Sequence, residues 1–590
     1  MLKQYLPILT WLPQYNRAAL VSDLVAAVIV TLLLIPQSLA YALLAGLPAE
    51  MGLYASILPL VAYSLLGSSR TLAVGPVAII ALMTAAGAST VALQGSPEYI
   101  SAAIALALLS GIILSLMGLL RLGFMANFLS HPVISGFVTA SALIIALGQV
   151  GPLLGLSVSG SNVPELARSL LQELPNLHWP TLAIGLTALA ILLWSRHALA
   201  RSLRYLGLSA RTATLVSKAG PVFAVLVTSA VVWGMNLSDH GVRMVGEIGA
   251  SLPKLVLPAL DLGLWKELLI PALLISIVGF VESVSIAQTL AAKRRQRIEP
   301  DQELIGLGAA NLSSALSGGF PVTGGFSRSV VNFDAGAETP AAGAFSAVGI
   351  ALATLFLAPL IAVLPQATLA ATIIVAVWAL VDLNGFKRYW SYSKKDFLAL
   401  LCTLVTTLLA GVEIGILSGI GLSLALYLYQ ASRPHTAVVG QIPGTEHFRN
   451  TSRHQVETDP NILLFRVDEG LFFANSRFLQ DQIYTLVSQN SQLTDIVLIC
   501  SAVNHIDGSA LEGLEAMNLR LKDSGVRLHL AEVKGPVMDR LQRTALLQEL
   551  SGEVFLSTYS AWQQLRPRPD NPGSQPEMSR HSASVGNGLE

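Results

Sequence analysis

Long apolar runs dominate the chain up to about residue 430 and are separated by short polar stretches. A helix that crosses a bilayer needs about 20 mostly apolar residues. The pattern therefore predicts a polytopic α-helical membrane protein. Its fourteen candidate spans are 23–46, 51–67, 76–93, 100–120, 126–153, 179–195, 220–236, 267–291, 303–318, 325–335, 341–361, 366–382, 396–411 and 413–430.

The third and tenth spans follow Gly/Pro-rich stretches, near Gly75 and Gly324, and are predicted to be half-helices that begin inside the membrane. They occupy equivalent places in two sets of seven. Because seven is odd, the second set is inverted relative to the first. Inverted repeats with broken helices in matching positions are typical of secondary transporters with a midplane site.

Basic residues indicate the orientation, since cytoplasmic loops carry an excess of Lys and Arg. Clusters follow spans six, eight and twelve, whereas the loops after spans five and seven carry few basic residues. Both termini are therefore predicted to be cytoplasmic. The clusters contain Arg196, Arg201, Arg204, Arg211 and Lys218; then Lys293, Arg294, Arg295 and Arg297; then Lys387, Arg388, Lys394 and Lys395.

After the last span, short apolar runs alternate with amphipathic patterns. ILLFRV, DIVLIC and RLHLAEV are predicted strands, and SRFLQDQIYTLVSQ, SALEGLEAMNLRLKDSG and GPVMDRLQRTALLQEL are predicted helices, which together indicate a small α/β domain. The expected organisation is a cytoplasmic segment (1–20), a transmembrane domain (21–432), the α/β domain (436–565) and a Pro/Ser/Gly-rich disordered tail (566–590).

Composition narrows the functional classes. Only 12% of residues are charged and the net charge is zero, which gives no electrostatic basis for binding nucleic acid. Two cysteines exclude a disulfide framework and a Cys-rich metal site. No Walker A motif is present, so ATP-driven transport by this chain is not expected. Neither an enzyme activity nor a cofactor or metal is predicted.

Two glycine-containing stretches predict an anion site. PVTGGFSRSVVNF (321–333) starts a helix at about Phe326, with Arg328 in its first turn, and Gly75-Pro76 starts another with Pro at its first position. Facing helix N-termini and a guanidinium attract an anion such as sulfate, bicarbonate or a carboxylate. Alternatively, Arg328 reaches a lipid headgroup or pairs with Asp334 or Glu338.

Polar residues within two other spans are further candidates. Gln37 and Tyr41 lie four apart on span one, where they bind the anion or form interhelical hydrogen bonds. Glu282 is an acid in an uncharged run of span eight, with Ser285 on the same face. Its low-dielectric surroundings favour proton binding, hence ion coupling, although a static partnership with Arg328 is also possible.

Three stretches resemble the sulfate permease (SulP) family of anion transporters: residues 36–78, residues 131–150 and residues 301–340. The resemblance extends over about residues 15–565. It implies a core and a gate domain, an anion held between the third and tenth half-helices, movement of the core against the gate, and a homodimer. The resemblance also implies functional residues. Proton coupling is assigned to Glu282, and anion binding to Gln37, Tyr41, Val77, Ala78, Phe326, Ser327 and Arg328.

One departure from the family bears on coupling. Some bacterial relatives have an acid where this chain has Gln37, which cannot titrate, so that coupling depends on Glu282 or is absent. The expected function is proton-coupled sulfate uptake across the plasma (inner) membrane. Sodium-coupled bicarbonate or dicarboxylate transport and a passive anion channel remain alternatives.

The C-terminal domain resembles a STAS domain, on the residues FRVDEGLFFANS (465–476) and VNHIDGSALEGL (503–514). The resemblance places Asp507 and Ser509 in a regulatory loop, with Ser509 at the phosphorylatable position of bacterial antagonists. A plain helix N-cap is the favoured role for Ser509. A membrane sensor that signals through this domain is the alternative from a different functional class.

Overall fold

The computed structural model describes residues 6–128, 130–207, 209, 213, 217, 219–246, 249, 251–258 and 261–566. Almost all of the predicted tail, 567–590, and the first five residues lie outside the described residues. The chain separates into two compact units, residues 1–423 and 424–590.

Each of the first seven predicted spans contains a helix. The second predicted span is split into two helices, and the sixth continues through a short π-helical stretch, Ser195–Leu199. In chain order the helices and strand are α1 (Ile8–Trp11), α2 (Arg17–Leu44), α3 (Glu50–Tyr54), α4 (Leu58–Leu66), β1 (Val74–Gly75), α5 (Ala78–Ser89), α6 (Pro97–Leu119), α7 (His131–Leu154), α8 (Val163–Glu173), α9 (Trp179–Trp194), α10 (Ala200–Tyr205) and α11 (Gly220–Gly234).

Each of the other seven spans also contains a helix, and the eleventh is split near its end. The elements are α12 (Leu262–Lys293), α13 (Pro300–Leu316), β2 (Thr323–Gly324), α14 (Phe326–Ala335), α15 (Ala341–Phe356), α16 (Ala358–Ala362), α17 (Gln366–Trp378), α18 (Leu383–Tyr392), α19 (Lys394–Ala410) and α20 (Val412–Ser432). Among the described helices, seven are long and apolar enough to cross a membrane, and shorter apolar helices accompany them. The predicted polytopic helical fold is confirmed.

The first span begins earlier than its apolar pattern predicts. Asn16 caps α2 by accepting a hydrogen bond from the Ala19 N–H at 2.9 Å, which extends the helix beyond the predicted start at residue 23. Asp23 is fully buried inside this helix. Its carboxylate accepts hydrogen bonds from the Glu338 N–H (2.7 Å) and the Thr339 hydroxyl (2.6 Å). The residue predicted to start the span therefore lies within the helix and binds the loop after α14.

Helices of the two halves pack on each other in two groups. In the first group α6 packs on α13 and α12, α4 packs on α13, and α2 packs on α14 and α15. In the second, α7 packs on α17 and α19, and α9 packs on α11 and α17. A Cβ on Gly308 of α13 would lie 2.3 Å from the Ser115 Oγ of α6, so that only glycine permits this approach. The groups correspond to the expected core and gate.

The C-terminal unit contains a six-stranded sheet of order β4-β3-β5-β6-β7-β8. Strands β5 to β8 are parallel and β3 is antiparallel to both neighbours. The three predicted strands correspond to β5, β6 and β7. The prediction of one helix over GPVMDRLQRTALLQEL is wrong, because this stretch forms two helices, α23 and α24. The elements are β3 (Thr436–Gln441), β4 (Phe448–Asn450), β5 (Ile462–Val467), α21 (Ser476–Gln489), β6 (Asp495–Ile499), α22 (Gly508–Asp523), β7 (Arg527–Ala531), α23 (Gly535–Leu541), α24 (Leu546–Glu549), β8 (Val554–Phe555) and α25 (Thr558–Leu565).

Candidate anion-binding site

Two short strands from opposite halves of the chain pair inside the membrane unit. β1 and β2 are antiparallel, with Val74 opposite Gly324 and Gly75 opposite Thr323. Each strand leads into a short helix, α5 or α14, which confirms the predicted half-helices. The expectation that Pro76 is the first helical residue is wrong, because α5 begins at Ala78 and Val77 is its N-cap.

Hydrogen bonds from α12 fix the position of β2. The Ser283 Oγ accepts from the Gly324 N–H at 2.8 Å and lies 2.6 Å from the Thr323 Oγ1, which itself donates to the Gly279 carbonyl. On the other side the Ala73 N–H donates to the Ser329 Oγ at 2.9 Å. The sequence interpretation missed these residues because single Ser and Thr residues occur on many membrane helices.

Arg328 connects the two half-helices. It belongs to the first turn of α14, and its Nη1 donates to the Pro76 carbonyl, just before α5, at 2.7 Å. The side chain is only 2% exposed, so it lies inside the protein and not at a lipid headgroup. Its Nη2 is buried and has no hydrogen-bond partner among the described residues. A buried donor of this kind is available to an anion.

A cavity of about 60 Å³ lies at the two helix N-termini. One water needs roughly 10–15 Å³ on this measure, so the cavity suits a small solute with a few oxygen atoms. All the predicted anion-site residues line it, together with Glu282. These are Gln37, Tyr41, Val77, Ala78, Phe326, Ser327 and Arg328.

Glu282 is shared between this cavity and a neighbouring apolar cavity of about 180 Å³. Its Oε2 is buried, and among the described residues it has no hydrogen-bond partner, nor does any ion pair join it to Arg328. A static pair with Arg328 is therefore not present. Ser285 lines only the apolar cavity, so the structure does not bring it to the anion cavity.

The predicted regulatory loop lies at the start of α22. Asp507 is the N-cap, and its carboxylate accepts from the Ala510 N–H at 2.8 Å and the Phe473 N–H at 2.9 Å. The N-cap role favoured for Ser509 is therefore wrong. Ser509 lies inside the first turn and is exposed, and Asp507 is the residue that accepts from a backbone N–H of this turn.

One cluster of polar and charged side chains in the C-terminal domain is centred on Asp495. The Asp495 carboxylate accepts from the His529 Nε2 at 2.9 Å and pairs with Arg527 at 2.8 Å. Burial alone would raise the pKa of Asp495, but hydrogen bonds from Arg527, His529 and Thr494 outweigh it and lower the pKa. No group of three His, Cys, Asp or Glu residues that could hold a metal ion occurs in the described part of the chain.

The paired strands, the two half-helices that follow them and the cavity at their N-termini are the features of a polytopic membrane transporter. The sequence profile of the sulfate permease family matches residues 20–403, and that of the STAS domain matches residues 453–561. The chain therefore belongs to the sulfate permease family, a family of transporters and not of enzymes, and carries a C-terminal STAS domain.

Relatives agree with this assignment, and a solved structure has a similar fold. Probable sulfate transporter 4.2 of Arabidopsis thaliana is 35% identical over 98% of this chain and 86% of its own length. A probable sulfate transporter of Mycobacterium tuberculosis is 32% identical over 94% of this chain and 97% of its own. The fold is similar to that of the murine anion transporter Slc26a9 (TM-score 0.87, 22% identity, 95% and 94% of the two chains).

Proposed function

We propose that this protein is a secondary-active transporter that takes up sulfate. The observation that carries the proposal is the cavity in which two half-helix N-termini and the free Nη2 of Arg328 converge. Partial positive charges at the helix ends and a full charge on the guanidinium favour an oxyanion at one place. The sulfate-transporter names of the two relatives favour sulfate among oxyanions.

The other cavity residues have roles that follow from their positions. The side chains of Gln37, Tyr41 and Ser327 offer hydrogen bonds to the anion oxygens. Val77 and Ala78 bring the backbone of the first half-helix to the cavity, and Phe326 lines it at the start of the second.

Uptake by the purified protein in liposomes tests the proposal. We expect saturable uptake of labelled sulfate that unlabelled sulfate inhibits more strongly than bicarbonate, succinate or chloride. Stronger inhibition by bicarbonate or succinate would show that this anion, and not sulfate, is the preferred substrate. Flux without accumulation would indicate a channel, and absence of uptake would favour a sensor that acts through the STAS domain.

Protons are the proposed coupling ion, and Glu282 is their proposed site, because its Oε2 faces no partner among the described residues and its carboxyl group lines the anion cavity. Glu282→Gln should retain sulfate binding and lose accumulation driven by an inward proton gradient. Glu413→Gln is a matched control, since Glu413 also has a buried oxygen without a described partner but does not line the cavity. Equal loss in both variants, a sodium requirement, or accumulation retained in Glu282→Gln would each refute proton coupling at Glu282.

Domain boundaries and placement complete the proposal. We propose a homodimer in the plasma (inner) membrane. Each chain would consist of a cytoplasmic segment (1–20), a transport domain (21–432), a STAS domain (436–565) and a tail (566–590). Labelling of single engineered cysteines from either side of sealed vesicles tests whether both termini are cytoplasmic. Cross-linking in the native membrane tests the dimer.

A further inference from the structure

A second polar cavity lies in the membrane unit and shares no lining residue with the anion cavity. Its volume is about 630 Å³, roughly ten times that of the anion cavity (630/60). The N-terminal helix α1, the loop after α4, the end of α6 and the start of α13 meet around it. Every one of these elements belongs to the core group or precedes it, so the cavity is not between core and gate.

Three arginines line this second cavity: Arg70, Arg121 and Arg297. Each is exposed, and within the described residues none of the three guanidinium groups has an ion-pair or hydrogen-bond partner. Two acids, Glu299 and Asp301, also line the cavity, but the Asp301 carboxylate accepts from the Gly123 N–H at 2.8 Å, and neither acid forms an ion pair with these three described arginines. Guanidinium donors are therefore left for a ligand that supplies negative oxygen atoms.

Trp11 gives a second and independent indication of a ligand. Its side chain lines the cavity and is only 8% exposed, and the indole N–H is buried without a hydrogen-bond partner in the described part of the chain. An unpaired buried donor costs about as much free energy as a lost hydrogen bond. The indole can only donate, so the missing partner is an acceptor, the same kind of group that a guanidinium binds.

We propose that the cavity formed by Trp11, Arg70, Arg121 and Arg297 binds a phosphate-type oxyanion at a site separate from the transport site. Three guanidinium groups match a tetrahedral oxyanion with several charged oxygens, and the indole N–H adds a neutral donor. The size of the cavity leaves room for an organic group attached to the phosphate. The same chemistry is offered by a soluble phosphate and by a phospholipid headgroup.

Fluorescence of Trp11 provides a local readout in the full-length protein. The Trp11 signal is obtained as the difference between the wild type and Trp11→Phe, which keeps an aromatic ring and lacks the N–H. In nanodiscs of zwitterionic lipid at constant ionic strength, addition of inorganic phosphate should change this signal with saturation. In a second arm, no phosphate is added, and the Trp11 signal in nanodiscs that contain phosphatidic acid is compared with the signal in zwitterionic nanodiscs.

Arginine variants test whether the fluorescence response arises from binding in this cavity. The double substitution Arg121→Gln/Arg297→Gln should weaken the apparent affinity at least about tenfold, because two charge-assisted contacts are lost. Arg204→Gln is the matched control, since Arg204 is also exposed but does not line the cavity. A response to inorganic phosphate assigns a soluble ligand, and a response only to phosphatidic acid assigns a lipid headgroup. A missing response in both arms, or equal affinity in the double variant and the control, would overturn the proposal.

Discussion

Gly325→Ala is the substitution that tests the role of Arg328 most directly. The backbone of Gly325 has φ −95° and ψ 127°, a conformation that alanine adopts without strain. The added Cβ would lie 2.7 Å from Nη2, 2.9 Å from Nε and 3.0 Å from Cζ of Arg328. Ordinary contacts begin at 3.4 Å, so the guanidinium group must move by about 0.7 Å (3.4 − 2.7).

That displacement has a calculable cost for anion binding. The bond from the Arg328 Nη1 to the Pro76 carbonyl is 2.7 Å long, and a shift of the guanidinium along this line would stretch it to about 3.4 Å, near the limit of a hydrogen bond. The Nη2 that is proposed to donate to the anion moves with the same group, and hydrogen bonds to charged groups contribute roughly 1.5–3 kcal/mol. A loss of about 1–2 kcal/mol in that contact would weaken sulfate binding roughly 5- to 30-fold.

The assay is the sulfate concentration that gives half-maximal uptake into liposomes. Gly343→Ala is the control, since its Cβ would meet nothing closer than 3.6 Å, and its uptake should equal that of the wild type. Because the clash acts through Arg328, Gly325→Ala should add nothing to Arg328→Ala. An unchanged half-saturating concentration in Gly325→Ala, or full additivity with Arg328→Ala, would show that the guanidinium does not act on the anion from this position.

Three further predictions concern the supports of the site and the STAS domain. Ser283→Ala removes the acceptor of the Gly324 N–H and should lower the free energy of unfolding by about 1–3 kcal/mol; an unchanged thermal unfolding midpoint in detergent would contradict this. Burial raises the pKa of the Cys500 thiol to about 12, so on a Cys402→Ser background a maleimide at pH 8 should label the protein only after unfolding. The carboxylate of Asp495, whose pKa is lowered by folding, contributes stability above the unfolded value of about 3.9, and this is lost as pH falls through the folded pKa. Asp495→Asn should therefore lower the unfolding temperature at pH 7, by a difference that shrinks below about pH 4, and a difference independent of pH would refute the linkage.

The sequence predicts the membrane fold well because long apolar runs recur along the chain, and seven of the described helices meet the requirement for about 20 apolar residues. The half-helices were also predictable, since glycine and proline interrupt the two apolar runs near Gly75 and Gly324. Helix starts were less accurate where side-chain caps decide them, as Asn16 does for α2. A hydropathy pattern contains no information about such individual hydrogen bonds.

Some buried polar residues of the membrane unit could not be identified from the sequence. Glu303 lies at the predicted edge of a span, yet it is fully buried and accepts from the Tyr63 hydroxyl at 2.7 Å and the Ser68 N–H at 2.9 Å. Its partners are more than two hundred residues away along the chain. Only the three-dimensional packing of α13 against the loop after α4 identifies it as an internal carboxylate and not as a membrane-surface residue.

Adjacent residues of α12 connect the proposed proton site to the anion site. Glu282 lines the anion cavity, while Ser283 holds the β2 strand through the Gly324 N–H. Strand β2 leads directly into α14 and hence to Arg328. A movement of α12 that accompanies a change of charge on Glu282 would therefore move the Ser283 bond, the strand and the guanidinium together. Coupling between proton and anion then needs no direct contact between Glu282 and Arg328, which agrees with the absence of an ion pair between these two described residues.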